Sequence, residues 1–349
     1  MTIALFFVGI ARIHENPPVP VLGVLAAEQI SDCVVEGART KCTCEKQPTT
    51  APDLKATISE ETNELEIYCK GGLNYAPEGL LGSKVCSADA DDVTTCKAKE
   101  SKPGCINVNA LLVAASTPVE WQPSTSITDQ DKSKVLNIPK DKIPYVDEEF
   151  HVGCSENNST TKCKVAVTIT ARTTKTKDRT VTCAYGHDSN KKHQMITLSP
   201  SQNTFTLVCG AKGEIVQKSY KSAYCGVSEK DTPVRDCPGK YTDILPGYEE
   251  RWWTDGKEKS FTFTIPEDKF PTARAKMMVQ CQKEEVKTRE PATPQAEATF
   301  KPSVCSVDVT IESAGSASLA PPSFILGLST IMLLAGSGLM VVSSDFLRQ

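Results

Sequence analysis

Residues 163–170 read Cys163-Lys-Val-Ala-Val-Thr-Ile-Thr170, and residues 305–311 read Cys305-Ser-Val-Asp-Val-Thr-Ile311. In the first, Val165, Val167 and Ile169 share one face, with Ala166 and the threonines on the other. Val307, Val309 and Ile311 repeat the pattern, and so do Phe261, Phe263 and Ile265 in Ser260-Phe-Thr-Phe-Thr-Ile265. Period two in β-branched and aromatic residues predicts half-buried strands. No long helical stripe lies between the two termini. An all-β chain of face-to-face sheets follows, each sheet with one face inward.

The two opening stretches belong to a larger repeat. Cys44, Cys69, Cys86, Cys96, Cys154 and Cys163 are separated by 25, 17, 10, 58 and 9 residues. Cys183, Cys209, Cys225, Cys237, Cys281 and Cys305 are separated by 26, 16, 12, 44 and 24. The early gaps nearly match, and the later differences are loop-length changes of the kind surfaces tolerate. Leu65-Glu-Ile-Tyr-Cys69 parallels Phe205-Thr-Leu-Val-Cys209, and Ile138-Pro-Lys-Asp-Lys-Ile-Pro144 parallels Ile265-Pro-Glu-Asp-Lys-Phe-Pro271. Trp121 precedes one copy and Trp252-Trp253 the other. A repeat at this spacing predicts two homologous domains in tandem, over 33–170 and 182–312. The polar, charged stretch 171–181 between them is expected to be a linker.

Length agrees, since single cores rarely grow past about 250–300 residues and the chain has 349. Fifteen cysteines are more than a reducing compartment usually holds without metal, so disulfides and export are expected. The formal charge of −4 argues against nucleic acid as a partner. Residues 1–27, with two apolar runs ending at Ala26-Ala27, are expected to be a signal peptide, although Arg12 and His14 interrupt the run. At the other end, Ser313, Ala314, Gly315 and Ser316 begin a run of small residues. A short spacer and the uncharged stretch Phe324–Val342 follow. That order is expected of a GPI-attachment signal over 313–349, anchoring the chain to the outer face of the plasma membrane through lipid. A single membrane span is the alternative.

The repeated cysteines, the apolar-Thr-apolar-apolar-Cys strand, the tryptophan, the Ile-Pro-x-Asp-Lys-Phe-Pro motif and the Val-Gly-Cys154 ending resemble the SRS surface antigens of Toxoplasma and related coccidian parasites. Arg179-Thr-Val-Thr-Cys183-Ala-Tyr-Gly186, Tyr224-Cys225 and Asp243-Ile-Leu-Pro246 resemble the start of that family's second domain, and the likeness spans residues 40–312. It implies two disulfide-stapled β-sandwiches whose six cysteines pair first to sixth, second to fifth and third to fourth. Those bridges would be Cys44–Cys163, Cys69–Cys154 and Cys86–Cys96, then Cys183–Cys305, Cys209–Cys281 and Cys225–Cys237. Cys44 rather than Cys42 is taken as the family position from its spacing. Cys33, Cys42 and Cys105 remain unassigned: two of them can bridge, and the third is a free thiol or an intermolecular bridge.

The resemblance also implies attachment to host cells, contact with antibody, a homodimer, and a groove at the outer end of the first domain for sulfated glycosaminoglycan. The alternative is a structural coat protein without a specific ligand. Charge complicates the glycan reading. Residues 33–163 carry 14 Lys and Arg against 20 Asp and Glu, whereas residues 164–311 carry 23 against 18. An acidic first domain disfavours a polyanion there. The densest basic stretch, Lys162, Lys164, Arg172, Lys175, Lys177 and Arg179 with Lys191 and Lys192 beyond it, lies toward the junction. Within it Lys175, Lys177 and Arg179 are the candidate ligand residues. Asn157-Asn158-Ser159-Thr160 holds two overlapping sequons, so Asn157 and Asn158 are candidate glycosylation sites. No catalytic residue, cofactor motif or metal set is expected. The histidines, His14, His151, His187 and His193, form no known catalytic spacing, and Cys42-x-Cys44 lacks a matching second pair for zinc.

Overall fold

Burial follows the alternation residue by residue. Val165, Val167 and Ile169 are fully buried, while Lys164, Ala166 and Thr168 between them are only half-buried. The structure is a computed structural model, and it describes residues 31–46, 52–90, 92–96, 104–114, 116–124, 133–157, 160–228, 232–285 and 302–315. The expected signal peptide, Asn158, and Ser316 with the rest of the C-terminal signal lie outside the described residues.

In the first domain the strands are β1 (Asp32–Glu36), β2 (Arg39–Cys44), β3 (Asp53–Ile58), β4 (Glu64–Cys69), β5 (Asn74–Ala76), β6 (Lys84–Ser87), β7 (Cys105–Asn107), β8 (Trp121–Pro123), β9 (Lys134–Asn137), β10 (Glu148–Glu156) and β11 (Thr160–Ile169). One sheet runs β1-β2-β4-β9-β8 and the other β3-β11-β10-β6-β7, with β5 also on β10. In the second domain they are β12 (Lys175–Lys177), β13 (Thr180–Thr182), β14 (Gln194–Leu198), β15 (Thr204–Val208), β16 (Gly213–Ile215), β17 (Ala223–Tyr224), β18 (Gly239–Lys240), β19 (Trp253–Asp255), β20 (Ser260–Thr264), β21 (Ala275–Lys283) and β22 (Cys305–Ile311). Its sheets run β12-β13-β15-β20-β19 and β14-β22-β21-β16.

The first sheets of the two domains match strand for strand, and the second sheets share the β3-β11-β10-β5 and β14-β22-β21-β16 order, with β6 and β7 added in the first domain and β17 paired with β18 as a separate ribbon in the second. In both domains the pairing that joins the early strands is parallel: β2 with β4 and β3 with β11 in the first, β13 with β15 and β14 with β22 in the second. Each domain has its own apolar core between its sheets. The first is built on aliphatic side chains with Trp121 and Phe150. The second is built on aromatics: Trp253 stacks on Phe263 at 4.6 Å and meets Phe205 edge-on at 5.8 Å. Trp253, on β19, is the counterpart of Trp121, on β8.

Disulfides tie the layers together. Cys44–Cys163 and Cys69–Cys154 join the two sheets of the first domain, and Cys183–Cys305 and Cys209–Cys281 those of the second. Cys225–Cys237 closes a loop in the second domain. The third bridge of the first domain differs from Cys86–Cys96. Cys96 is bonded to Cys105, and Cys86 is a buried free thiol. β6 and β7 pair antiparallel with Cys86 opposite Cys105, so three cysteines meet where spacing alone offers two. Cys33 and Cys42, register partners on β1 and β2, form the remaining bridge. The unpaired thiol is therefore Cys86, not one of Cys33, Cys42 and Cys105.

The expected linker is also partly sheet. Lys175–Lys177 pairs with Thr180–Thr182 as a hairpin at the edge of the second domain. Its sequence is charged because an edge strand here buries no side chain: all three residues of β12 are exposed.

Candidate interaction surface at the outer tip of the first domain

The first domain is fixed to the second at one end of its long hairpin. Just before β10 begins, the Asp147 carboxylate accepts the Ala171 amide through Oδ1 and the His187 amide through Oδ2, each at 2.8 Å. The Tyr185 amide donates to the Tyr145 carbonyl at 2.7 Å. Arg172 lies 4.4 Å over the Tyr145 ring, with Nε donating to the Ile143 carbonyl at 2.9 Å. Glu60 receives Lys175 Nζ at 2.5 Å and the Thr173 hydroxyl at 3.2 Å. Burial alone would raise the Glu60 carboxyl, but these bonds hold it below its ordinary value.

From this junction β10 runs outward for nine residues and β11 returns for ten. At about 3.3 Å per residue, their turn stands roughly 30 Å from the junction. Asn157 begins that turn, in the left-handed region at φ 52°, so the described sequon asparagine sits at the outer tip. A β-bulge falls between Cys154 and Ser155, which bends the hairpin end over the sheet. Gly153, just before it, is pressed so close to β11 that a Cβ would collide with the Cys163 carbonyl oxygen.

The ends of β2 and β4 complete the tip with Glu45, Lys46 and Lys70. Lys46 and Lys162 both pair with Glu156, the latter at 3.2 Å, and Lys70 pairs with Glu45 at 2.9 Å. The two lysines hold the Glu156 carboxyl below its usual range. Lys164 pairs with Asp53 at 3.4 Å on the same face. Tyr68 lies beneath Lys41 and Lys70, at 5.9 and 5.5 Å from its ring. The loop over residues 88–96 is drawn onto the tip by Asp92. This carboxylate accepts the Thr94 amide at 2.7 Å, the Thr94 hydroxyl at 2.8 Å and the Thr161 hydroxyl of β11. Burial acts to raise the Asp92 carboxyl, yet these donors and Lys164 hold it low. The Asp92-Val-Thr94 sequence is the local signal for such a turn, and sequence reasoning passed over it.

The basic stretch read from the sequence is thereby divided. Lys162 lies at the tip and Arg172 at the junction, at opposite ends of β11. Lys175 is held by Glu60, and Arg179 donates to the Gln202 side chain and carbonyl, both at 3.0 Å. Lys177 is exposed on the same hairpin, and Lys191 pairs with Asp188 at 3.2 Å. His193 faces Asp308 at 3.2 Å, and the His187 backbone is bound at the junction. Ser313, Ala314 and Gly315 follow β22 after Glu312, with the Ala314 amide donating to the Pro271 carbonyl at 2.8 Å. Among the described residues, no group of three or more His, Cys, Asp or Glu converges to hold a metal ion, and no helix is long and apolar enough to cross a membrane.

The model of the SRS domain matches twice, over residues 38–169 and 179–311. Among solved structures, the bradyzoite-specific antigen BSR4 from Toxoplasma gondii is similar, at 24% identity and a TM-score of 0.63, covering 81% of this chain and 98% of that one. The cadmium-bound SporoSAG structure aligns at 14% identity over 78% and 99% of the two chains, with a TM-score of 0.27. Plasmodium falciparum Pf12p aligns at 11% over 75% and 92%, with a TM-score of 0.22. A search of curated proteins finds no match.

Proposed function

The chain belongs to the SRS-domain family of surface antigens, and on that premise we propose that it is a lipid-anchored surface protein whose first domain attaches the parasite to host cells. The observation that carries this reading is the geometry of the β10–β11 hairpin. One end is locked to the second domain through Asp147, and the other presents a polar tip about 30 Å away. The small-residue run from Ser313 follows the last strand of the second domain. Processing and GPI attachment there would place that domain next to the membrane and the tip outermost. The disulfide-pinned sheets keep the tip in shape without a large core.

The ligand class we assign is sulfated glycan. Lys46, Lys70 and Lys162 supply cations at the tip, beside the aromatic face of Tyr68. Each lysine already holds a carboxylate, so a sulfate would exchange with Glu45 or Glu156 rather than fill an open basic groove. Binding of this kind is weak per site and falls steeply with salt, and many copies on one surface compensate by avidity. Glycosylation at Asn157 would sit on the same tip. A second reading, a coat protein that meets antibody and has no ligand, is favoured by the net acidity of residues 33–163. Soluble residues 28–312, clustered on beads and applied to host cells before and after removal of sulfated glycans, separate the two. Attachment lost on glycan removal supports the first. No attachment at any bead density supports the coat.

A further inference from the structure

Cys86, Cys96 and Cys105 share one pocket and only one disulfide. Cys86 and Cys105 stand directly opposite in the β6–β7 ladder. The bonds from the Ser87 amide to the Gly104 carbonyl and from the Val108 amide to the Ser83 carbonyl place Cys86 and Cys105 at a non-hydrogen-bonded position, where facing Cα atoms are about 4.5 Å apart. That separation sets Cys86 directly beside the Cys96–Cys105 bridge. The Cys96 sulfur lies 3.5 Å from the carbonyl of Val85, the residue before Cys86, and the Cys86 sulfur lies 3.4 Å from the carbonyl of Val93, three residues before Cys96. Cys86 and Cys96 belong to one small buried cluster with Ala76, Ala90 and Val93, and Cys105 packs against it. The equivalent region of the second domain has only the pair Cys225–Cys237.

We propose that these three cysteines form an exchanging set, in which Cys86 displaces Cys105 from its bridge and opens Cys105 as a site for covalent thiol modification. The Cys86 thiolate attacks Cys96 Sγ. The Cys86–Cys96 bond forms, the Cys96–Cys105 bond breaks, and its electron pair leaves on Cys105 Sγ, which takes up the proton given up by Cys86. One thiol and one disulfide are present before and after, so no oxidant or reductant is consumed. The product bridge is the third-to-fourth pairing of the family pattern, and the thiol moves from the fully buried Cys86 to β7, the outer edge of the sheet, where Cys105 is only partly buried.

Exchange is held back in the resting protein by the environment of Cys86. Burial, reinforced by the nearby Asp92 carboxylate, pushes its thiol up to about 12. His151 faces Cys86 across the β10–β6 ladder with Nδ1 3.2 Å from the Ala90 carbonyl; β10 also carries Glu148, Glu149 and Glu156, β6 carries Lys84 and β5 carries Tyr75. Below that value the reactive thiolate fraction rises about tenfold per pH unit, so the rearrangement is slow at neutral pH and accelerates in alkali.

The test is disulfide mapping of the oxidised two-domain protein after incubation at pH 7, 8 and 9, with quenching in acid and alkylation before digestion. The expected result is a Cys86–Cys96 peptide with alkylated Cys105, appearing about tenfold faster per pH unit, while the other six bridges keep their partners. In Cys86→Ser the Cys96–Cys105 bridge stays intact at every pH. Recovery of Cys86 as the alkylated thiol at all times and pH values overturns the proposal. So does a product bridged between Cys86 and Cys105, because the released thiol would then be Cys96.

Discussion

Cys154 and Cys163 face each other across the β10–β11 ladder and are not bonded to one another. Each crosses to the opposite sheet, Cys154 to Cys69 and Cys163 to Cys44. Cys44 and Cys69 are themselves register partners on β2 and β4. The two bridges are thus adjacent rungs, both with Cα atoms 5.7 Å apart, that pin the sheets at the base of the outer tip. Cys281 opposite Cys305 repeats the arrangement in the second domain.

Adjacent rungs are partly redundant. With Cys44–Cys163 in place, the loop that Cys69–Cys154 must close shrinks from 85 residues to roughly 35, for which the chain-entropy model gives about 3–4 kcal/mol. The Cys69→Ala, Cys154→Ala double variant should lose about that much in denaturant unfolding of the first domain. A loss below about 1 kcal/mol would contradict the entropic account.

Gln280 is fully buried and ties the loop over residues 232–234 to the second sheet. It accepts the Val234 amide at 2.9 Å and donates to the Thr232 carbonyl at 3.2 Å and to Ser306 Oγ at 2.9 Å. Gln280→Ala strands those groups, which costs about 2–3 kcal/mol. Hydrogen exchange should rise at Val234 before it rises in β21, and unchanged protection of Val234 would argue against the role.

Asp147→Ala removes the two carboxylate oxygens that accept the Ala171 and His187 amides at the junction while leaving each core untouched. The expected outcome is unchanged unfolding of the two domains but a broadened distribution of interdomain orientations in small-angle scattering. Scattering identical to the parent protein would show that Tyr145, Arg172 and Glu60 suffice.

Acid should loosen the tip and the junction together. Asp92 and Glu60 have folded pKa values below their unfolded ones. Their stabilisation is complete above an unfolded pKa of about 4 and is lost as pH falls below it toward the folded value. Glu148 opposes them: burial raises its carboxyl despite Lys212 and Lys283, so its contribution is present at low pH and lost as pH rises through its folded value. Unfolding midpoints for the first domain should therefore drop below about pH 4, and Asp92→Asn should flatten that drop. A variant with the parent's acid profile would remove Asp92 from the account.

The domain repeat, the alternating strands and the two sets of six cysteines could be read from sequence because each is a local period or a spacing shared by two copies in one chain; the pairing of the interlayer cysteines came from the family resemblance. Other features could not. The parallel pairing of β2 with β4 leaves no local mark, since it joins segments separated by β3. The Lys175–Lys177 strand has no apolar face to betray it. Cys96 is ten residues from Cys86 and nine from Cys105, so spacing could not choose its partner; the β6–β7 pairing and the Asp92 turn do. The basic stretch reads as one patch because its residues are close in sequence, whereas an extended β11 sends Lys162 and Arg172 to opposite ends of the domain.

The most direct measurement of the central claim is host-cell attachment by three clustered, GPI-free proteins: the parent, a tip variant (Lys46→Gln, Lys70→Gln, Lys162→Gln) and a junction variant (Lys175→Gln, Lys177→Gln, Arg179→Gln). Attachment through the tip predicts that the tip variant loses about tenfold in binding, or about 1.4 kcal/mol, while the junction variant binds like the parent. Loss in the junction variant with the tip variant unchanged, or equal binding by all three, would contradict it.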